Sequence, residues 1–266
     1  MKLSNIEFGF DNFLAEMKKL KTEKHFDYLV TIVGEDFGPE EGLGCIYILE
    51  NTQTHKRISV KQLAKQLGDE YVIPSIYHVW ASSDLLEREV YDFLGIKFLG
   101  HPDMRRLFMR NDFEGWPLRK DFDMSPEKNQ FPMTDEPESD WTSEWNLTKD
   151  GELVETKHRL FDDDDFVINF GPNHPSTHGV LRLQTVVDGE TIKHIYPHLG
   201  YIHRGMEKMM ESMTYPQTLA FTDRLNYLCA MHHRHALVSV IEEAMGVELS
   251  ERIQYIRTIM DELQRI

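Results

Sequence analysis

Residues 169–179 read NFGPNHPSTHG, which places two glycines, two prolines and two histidines in eleven positions. Proline fixes φ and donates no backbone hydrogen bond, and glycine weakens any regular element it interrupts, so neither a helix nor a plain strand accommodates this stretch. It predicts a tight loop, punctuated at Gly171-Pro172 and His174-Pro175. Strand-like residues 165–168 feed it and 180–184 leave it. The loop tip is therefore mounted between two strands and presents His178 beside Gly179. Polar groups held this way usually serve a site.

The 266 residues around this loop allow one or two domains with real cores. No apolar run is long enough to span a bilayer. Residues 1–5 lead straight into an amphipathic pattern, so no leader segment is expected. Two distant cysteines, Cys45 and Cys229, exclude a disulfide framework and a self-contained cysteine metal cluster, and fit a reducing, cytosolic setting. The net charge of −16 argues against general nucleic-acid binding, which needs a basic surface.

Residues 6–20 carry apolar side chains at helical spacing. Strands are expected at 25–33, 43–49, 56–60 and 72–79, with a turn at 34–39, while 61–67 read equally as strand or helix. Cys45 reads as a small core residue. A helix follows, capped at Ser83 or Asp84 with Glu87 where a capping-box acid would stand, and ended by Gly95. Residues 101–122 hold too many Arg, Trp, Gly and Pro for regular structure and suit an ordered loop that docks on a partner. These features describe a small α+β layer domain over 1–122.

Composition then shifts. Residues 121–165 carry fifteen acidic side chains against four basic ones, the kind of block that stays solvated. Residues 123–160 read as an acidic, partly extended linker, with Trp141 and Trp145 at a spacing that could pin one helical turn. In residues 161–266 a hairpin turns at Asp188-Gly189. Helical patterns follow at 206–213, 216–233, 236–245 and 250–266, the last capped by Ser250. That helix is still amphipathic at Ile266 with no stop signal, so the domain is expected to continue. The overall class is α+β: a small domain, a linker, and the hairpin-rich start of a mainly helical domain.

Eight of the thirteen histidines lie between 174 and 235. His174 and His178 are four apart, but Pro175 denies them the helix a zinc pair needs, and no glutamate follows His174. There is no nucleophile elbow, and Cys229 reads as a structural residue inside a helix. Neither glycine-rich nucleotide signature occurs. Neutral donors such as His178 and a helical Tyr227 could instead line a pocket for an oxygen-bearing apolar ligand.

The stretch EREVYDFLGI at 87–96, with Arg106-Leu107 and DFEGWPLRKDF at 112–122, resembles the C-type subunit of the respiratory NADH:quinone oxidoreductase, complex I. GPNHPSTHGVLR at 171–182, PHLGYIHRGMEK at 197–208 and DRLNY at 223–227 resemble the opening of the D-type subunit. The order resembles the fused C/D subunit of some bacteria, with the acidic linker as the joint. The resemblance implies that the helical domain is related to hydrogenase large subunits. It implies that His178 and Tyr227 hold the quinone headgroup, and that Arg204 lies near an iron–sulfur cluster in the neighbouring B-type subunit. It further implies no cofactor bound by this chain and quinone as substrate. Partners would be the B-type and I-type subunits and the membrane arm, with a peripheral location on the cytoplasmic side of the inner membrane. A nickel–iron hydrogenase reading is weakened because at 224–229 only Cys229 is a thiol where such enzymes carry a cysteine pair. A purely structural assembly role is the remaining alternative.

Overall fold

Residues 43–51 alternate so that Leu43, Cys45, Tyr47 and Leu49 all bury their side chains, and this strand forms the middle of the first sheet. The structure is a computed structural model that describes residues 4–125, 141–162, 164–175 and 179–266. The chain divides into two units, residues 1–203 and 204–266.

In the first unit, β1 (Ser4–Glu7), β2 (Tyr28–Asp36), β3 (Leu43–Asn51) and β4 (Lys56–Leu63) form one sheet in the order β1-β4-β3-β2, with β1 parallel to β4. Helix α1 (Phe13–Thr22) buries Phe13, Met17 and Leu20, one helical face, and Phe13 meets Tyr47 at a ring distance of 5.3 Å. The helix predicted from residue 6 thus begins only at Phe13, because Ser4–Glu7 is taken as a strand by β4. Gly34, expected in a turn, lies inside β2. A β-carbon there would sit 2.6 Å from Leu94 Cδ1, so the glycine lets the next helix pack closely on the strand.

The second sheet has the order β5-β6-β7-β8-β9: β5 (Lys65–Leu67), β6 (Glu70–Pro74), β7 (Ile96–Leu99), β8 (Trp141–Leu147) and β9 (Leu153–Arg159). The ambiguous residues 61–67 are therefore the end of β4 and, after a break at Ala64, β5, and the strand expected at 72–79 stops at Pro74. Helix α2 (Ser83–Leu94) makes the crossover between the parallel strands β6 and β7. It ends at Gly95, whose φ is 71°.

The hairpin β8–β9 corrects the reading of a linker throughout 123–160. Gly100 N donates to Trp145 O at 2.8 Å, Met104 N donates to Ser143 O at 3.0 Å, and the Lys97 ammonium lies 3.5 Å from the Trp145 ring centroid. Trp141 and Trp145 stand on a strand and not on a helical turn. A four-residue spacing keeps two side chains on one face in either element, so periodicity could not separate them.

A third sheet, β10 (Phe166–Phe170), β13 (Arg182–Asp188) and β14 (Thr191–His198), is antiparallel in the order β10-β13-β14, and its β13–β14 turn is the predicted one at Asp188-Gly189. Between β10 and β13 sits a two-residue ladder, β11 (Asn173–His174) with β12 (Gly179–Val180).

The second unit is helical: α3 (Met206–Met210), α4 (Tyr215–Thr222), α5 (Ala230–Met245) and α6 (Glu251–Arg265). Thr214 and Gln217 form a capping box on α4. The single helix expected over 216–233 is broken. Asn226 accepts a side-chain hydrogen bond from Leu228 N at 3.1 Å and starts a 3-10 turn, Tyr227–Cys229. Arg257 binds Glu242 through two 2.7 Å bonds, and His235 Nδ1 lies 2.6 Å from Asp261, which ties α6 to α5. No helix of the described residues is long and apolar enough to cross a membrane.

Candidate functional site: a clasped loop and the segment that follows it

The loop after β10 is closed at its base. Gly171 has φ of 87°, and a β-carbon there would lie 2.0 Å from the Leu181 carbonyl oxygen, so only glycine fits. Leu181 N donates to Pro172 O at 3.2 Å, and the β11–β12 ladder pairs Asn173 with Val180 and His174 with Gly179. Below it, Arg182 Nε donates to Asn169 Oδ1 at 3.1 Å. The Phe170 and His174 rings meet edge to face at 6.2 Å. The bend predicted from the Gly-Pro and His-Pro pairs is closed at its base, where 173–174 pair with 179–180. Residues 176–178 lie outside the described residues, His178 among them.

Tyr227 and Arg204 belong to the second unit. Tyr227 opens the 3-10 turn before α5 and is 79% exposed, so its expected place on a helix is corrected: the Asn226 cap bends the chain there. The turn is held to α6 where Gln264 Nε2 donates to Leu228 O at 2.9 Å. Arg204 is exposed. Cys229, expected inside a helix, stands half-buried at the N-terminal boundary of α5.

The structure brings together residues that the sequence offered only as a motif. Asp92 is fully buried in α2, and its carboxylate accepts from Arg106 Nη1 at 2.8 Å and from the backbone N–H of Leu107, Phe108 and Met109 at 3.0, 2.6 and 2.9 Å. Arg106 also donates to the Phe113 and Gly115 carbonyls at 3.0 and 3.1 Å and stacks over Trp116 at 4.5 Å. Arg119 Nε donates to Leu94 O at 2.7 Å. The arginines and tryptophan read as partner anchors are therefore used to fold 101–122 onto α2. Buried charge of this kind needs several hydrogen bonds to be tolerated, and Asp92 has them.

Glu87 is not a capping-box residue; the helix starts after Ser82, and Glu87 is buried within it. It accepts from Ser75 Oγ at 2.6 Å and from Ile76 N at 2.8 Å, and burial pushes its carboxyl up to about 8. His101 accepts at Nδ1 from Asp103 N at 3.0 Å, which leaves the proton on Nε2, 3.5 Å from Asp84 Oδ1. Burial raises the Asp103 carboxyl, but the Arg105 and Arg88 guanidinium groups and the Thr142 hydroxyl overcome it and hold the group below the carboxylate range. His198, at the end of β14 opposite Arg182, is pushed down to about 4, first by burial and then by Arg182, Arg105 and Arg88. Cys45 is buried, which raises its thiol and makes it inert, as expected of a core residue. Nothing in the local pattern of residue types marks Glu87 and Asp92 as buried or His198 as half-buried; only the partners reveal it.

Residues 196–203 lie on the 101–109 segment. The Arg105 guanidinium covers the Tyr196 ring at 4.8 Å, and Leu199 N donates to Leu107 O at 3.4 Å. The His203 ring sits 5.0 Å from both Phe93 and Phe108, which stack on each other at 5.4 Å.

Residues 7–128 match the family described as respiratory-chain NADH dehydrogenase, 30 Kd subunit. The chain is 52% identical over 261 residues to the NADH-quinone oxidoreductase C/D subunit of Phocaeicola vulgatus, covering 98% of this chain and 50% of that protein. It is 50% identical to the protein of the same name from Bacteroides fragilis strain YCH46, covering 94% of this chain and 49% of that protein. Identity to the NADH-quinone oxidoreductase C/D subunit 2 of Aquifex aeolicus is 36%, over 98% of this chain and 46% of that one. The chain spans about half the length of these curated relatives.

Proposed function

This chain belongs to the family of NADH-quinone oxidoreductase C/D subunits, and from that premise we propose that it acts in the peripheral arm of a proton-pumping NADH:quinone oxidoreductase. In this reading residues 161–266 help form the quinone-reduction site and residues 1–122 dock neighbouring subunits. The observation that carries it is the base of the loop after β10, closed by Gly171 against Leu181 and by the pairing of 173–174 with 179–180, in the stretch that resembles the D-type subunit.

Reducing a quinone puts negative charge on its two oxygens, and each then takes a proton. An imidazole with an ordinary pKa of ~6.5 and a phenol at ~10 both donate hydrogen bonds without bringing a negative charge of their own. His178 and Tyr227 would stabilise the developing anion and supply protons, a task for which a carboxylate would be repulsive. Arg204, permanently cationic, would favour the reduced form of an iron–sulfur cluster held by the neighbouring B-type subunit. The chain itself would bind no cofactor. Its partners would be the B-type and I-type subunits and the membrane arm, its place the cytoplasmic side of the inner membrane, and its helical part a relative of hydrogenase large subunits.

The test is quinone reduction in membranes carrying Tyr227→Phe or His178→Ala in the assembled complex. Losing a donor to a developing oxyanion costs roughly 100-fold in turnover, and that is the expected loss for each. Unchanged turnover in both variants would remove these residues from the site.

A further inference from the structure

We propose that Asp84, His101 and Glu87 form a pH-sensitive switch, in which one imidazole N–H is aimed at Asp84 while Glu87 is neutral and turns to Glu87 when that carboxyl ionises. The turn releases the Asp84 carboxylate to solvent at the start of α2. The switch lies within the first unit and is independent of the quinone chemistry.

Its centre is a donor that can exist in one form only. His101 is completely buried, and its Nδ1 accepts from Asp103 N at 3.0 Å, so Nε2 must carry the ring proton. That N–H faces two carboxyl groups of α2, Asp84 Oδ1 at 3.5 Å and Glu87 Oε2 at 3.9 Å, and reaches neither at full hydrogen-bond distance. The same lock rules out a metal ion between the three, because the nitrogen that would bind it holds the proton. Glu87 is completely buried, whereas the Asp84 side chain is 41% exposed with Oδ1 turned inward.

Among the described residues, the other groups around the trio are paired or neutral. On α2, Arg88 donates to the Arg105 and Arg106 carbonyls and lies 3.5 Å from Asp103. After β7, Asp103 is held by Arg105 through bonds of 2.8 and 2.6 Å. Between β6 and α2, Ser75 Oγ and Ile76 N donate to Glu87, and Tyr77 brings its ring 5.6 Å from that of His101. From β3, Cys45 and Tyr47 lie within the field of Glu87, and burial raises both, which keeps them neutral. Burial lowers His101, so its ring also stays neutral while Glu87 titrates at about 8. Once Glu87 has lost its proton to solvent, both acceptors are anionic. Asp84 has water to turn to and Glu87 has none, so the buried group takes the donor. The ring tilts about its anchored Nδ1 and keeps its own proton.

The measurements use the full 266-residue chain. Infrared spectroscopy follows the protonated carboxyl stretch that Glu87→Gln abolishes, and nitrogen NMR of the histidine rings follows the His101 Nε2–H. The carboxyl band is expected to vanish with a midpoint at about 8, and the His101 proton resonance to move downfield over the same interval. Asp84→Asn removes a neighbouring negative charge and weakens the competing acceptor. Its midpoint is expected to fall by roughly one unit, ten-fold in proton affinity. His101→Phe keeps a ring without a donor, and its midpoint is expected to rise. A His101 resonance indifferent to the Glu87 transition would overturn the switch. So would an unmoved midpoint in Asp84→Asn, or one in folded His101→Phe that stays or falls. Asp84 is partly exposed, so its variant and the native chain decide the matter even where His101→Phe fails to fold.

Discussion

Glu87 shows how far one environment can move one side chain. Its carboxyl is fully buried against Ser75 and the Ile76 amide, and burial raises its pKa to about 8. The folded state therefore holds a proton that the unfolded chain releases above its ordinary value of 4.5. Stability from this group is fully present below that value and is lost as pH rises toward 8. His198 acts in the opposite sense. Its folded pKa is lowered to about 4 from 6.5, so stability is lost as pH falls through that window. The expected pH profile of urea unfolding therefore has a limb on each side, with an alkaline slope of roughly 1 kcal/mol per pH unit from Glu87 at most. Glu87→Gln, which keeps the shape and cannot ionise, is expected to flatten the alkaline limb and to extend the acid limb up to about 6.5, through the window in which the two groups otherwise offset each other. An alkaline slope identical in the Gln variant would assign it to another group.

At the scale of elements, α2 is the piece on which most of the first unit is arranged. Its end is legible in the sequence, because a helix stop with positive φ calls for glycine and Gly95 supplies it. The additional demand is visible only in three dimensions: a β-carbon at Gly95 would lie 2.4 Å from Trp116 Cε2, inside the ring that covers the helix end. Gly151 also has positive φ, at 82°, but opens onto empty space. Gly95→Ala is accordingly expected to cost more than the ~1 kcal/mol that the backbone conformation alone imposes, while Gly151→Ala costs about that amount. Equal shifts in the midpoint of thermal unfolding for the two variants would show that Trp116 moves aside freely. The same contrast separates the two irregular segments. The clasp at 169–181 was foreseeable from its glycines and prolines, which act through their own backbone. The fold of 101–122 was foreseeable only as irregular, because its arginines are satisfied by carbonyls and by a carboxylate from α2.

For the whole molecule, the two units differ in how they are held. The first buries a continuous apolar core from Phe13 to Met104. The second, among its described residues, fully buries only Thr218 and Thr222, and leaves Ile253, Ile256, Ile259 and Leu263 of α6 exposed. Helices without buried apolar contacts open at little cost. Hydrogen exchange on this chain is therefore expected to be slowest in β3, β4 and α2 and markedly faster in α5 and α6. Protection of α5 and α6 equal to that of β3 would mean that their polar ties, Arg257–Glu242 and His235–Asp261, suffice alone.

The amino-acid sequence by itself determined the features whose cause lies within a few residues. These are the loop forced by its prolines and glycines, the hairpin turn at Asp188-Gly189, the αL stop at Gly95, and the existence of the terminal helices. Short-range sterics and capping act before any distant contact forms. Tertiary structure decided whatever needed a remote partner. It gave residues 4–7 to β4, turned 141–159 from linker into sheet, broke the helix at Asn226, and buried Glu87 and Asp92. Those outcomes depend on which strand edge, carbonyl or ring arrives from elsewhere in the chain, and a local pattern of residue types carries no record of that arrival.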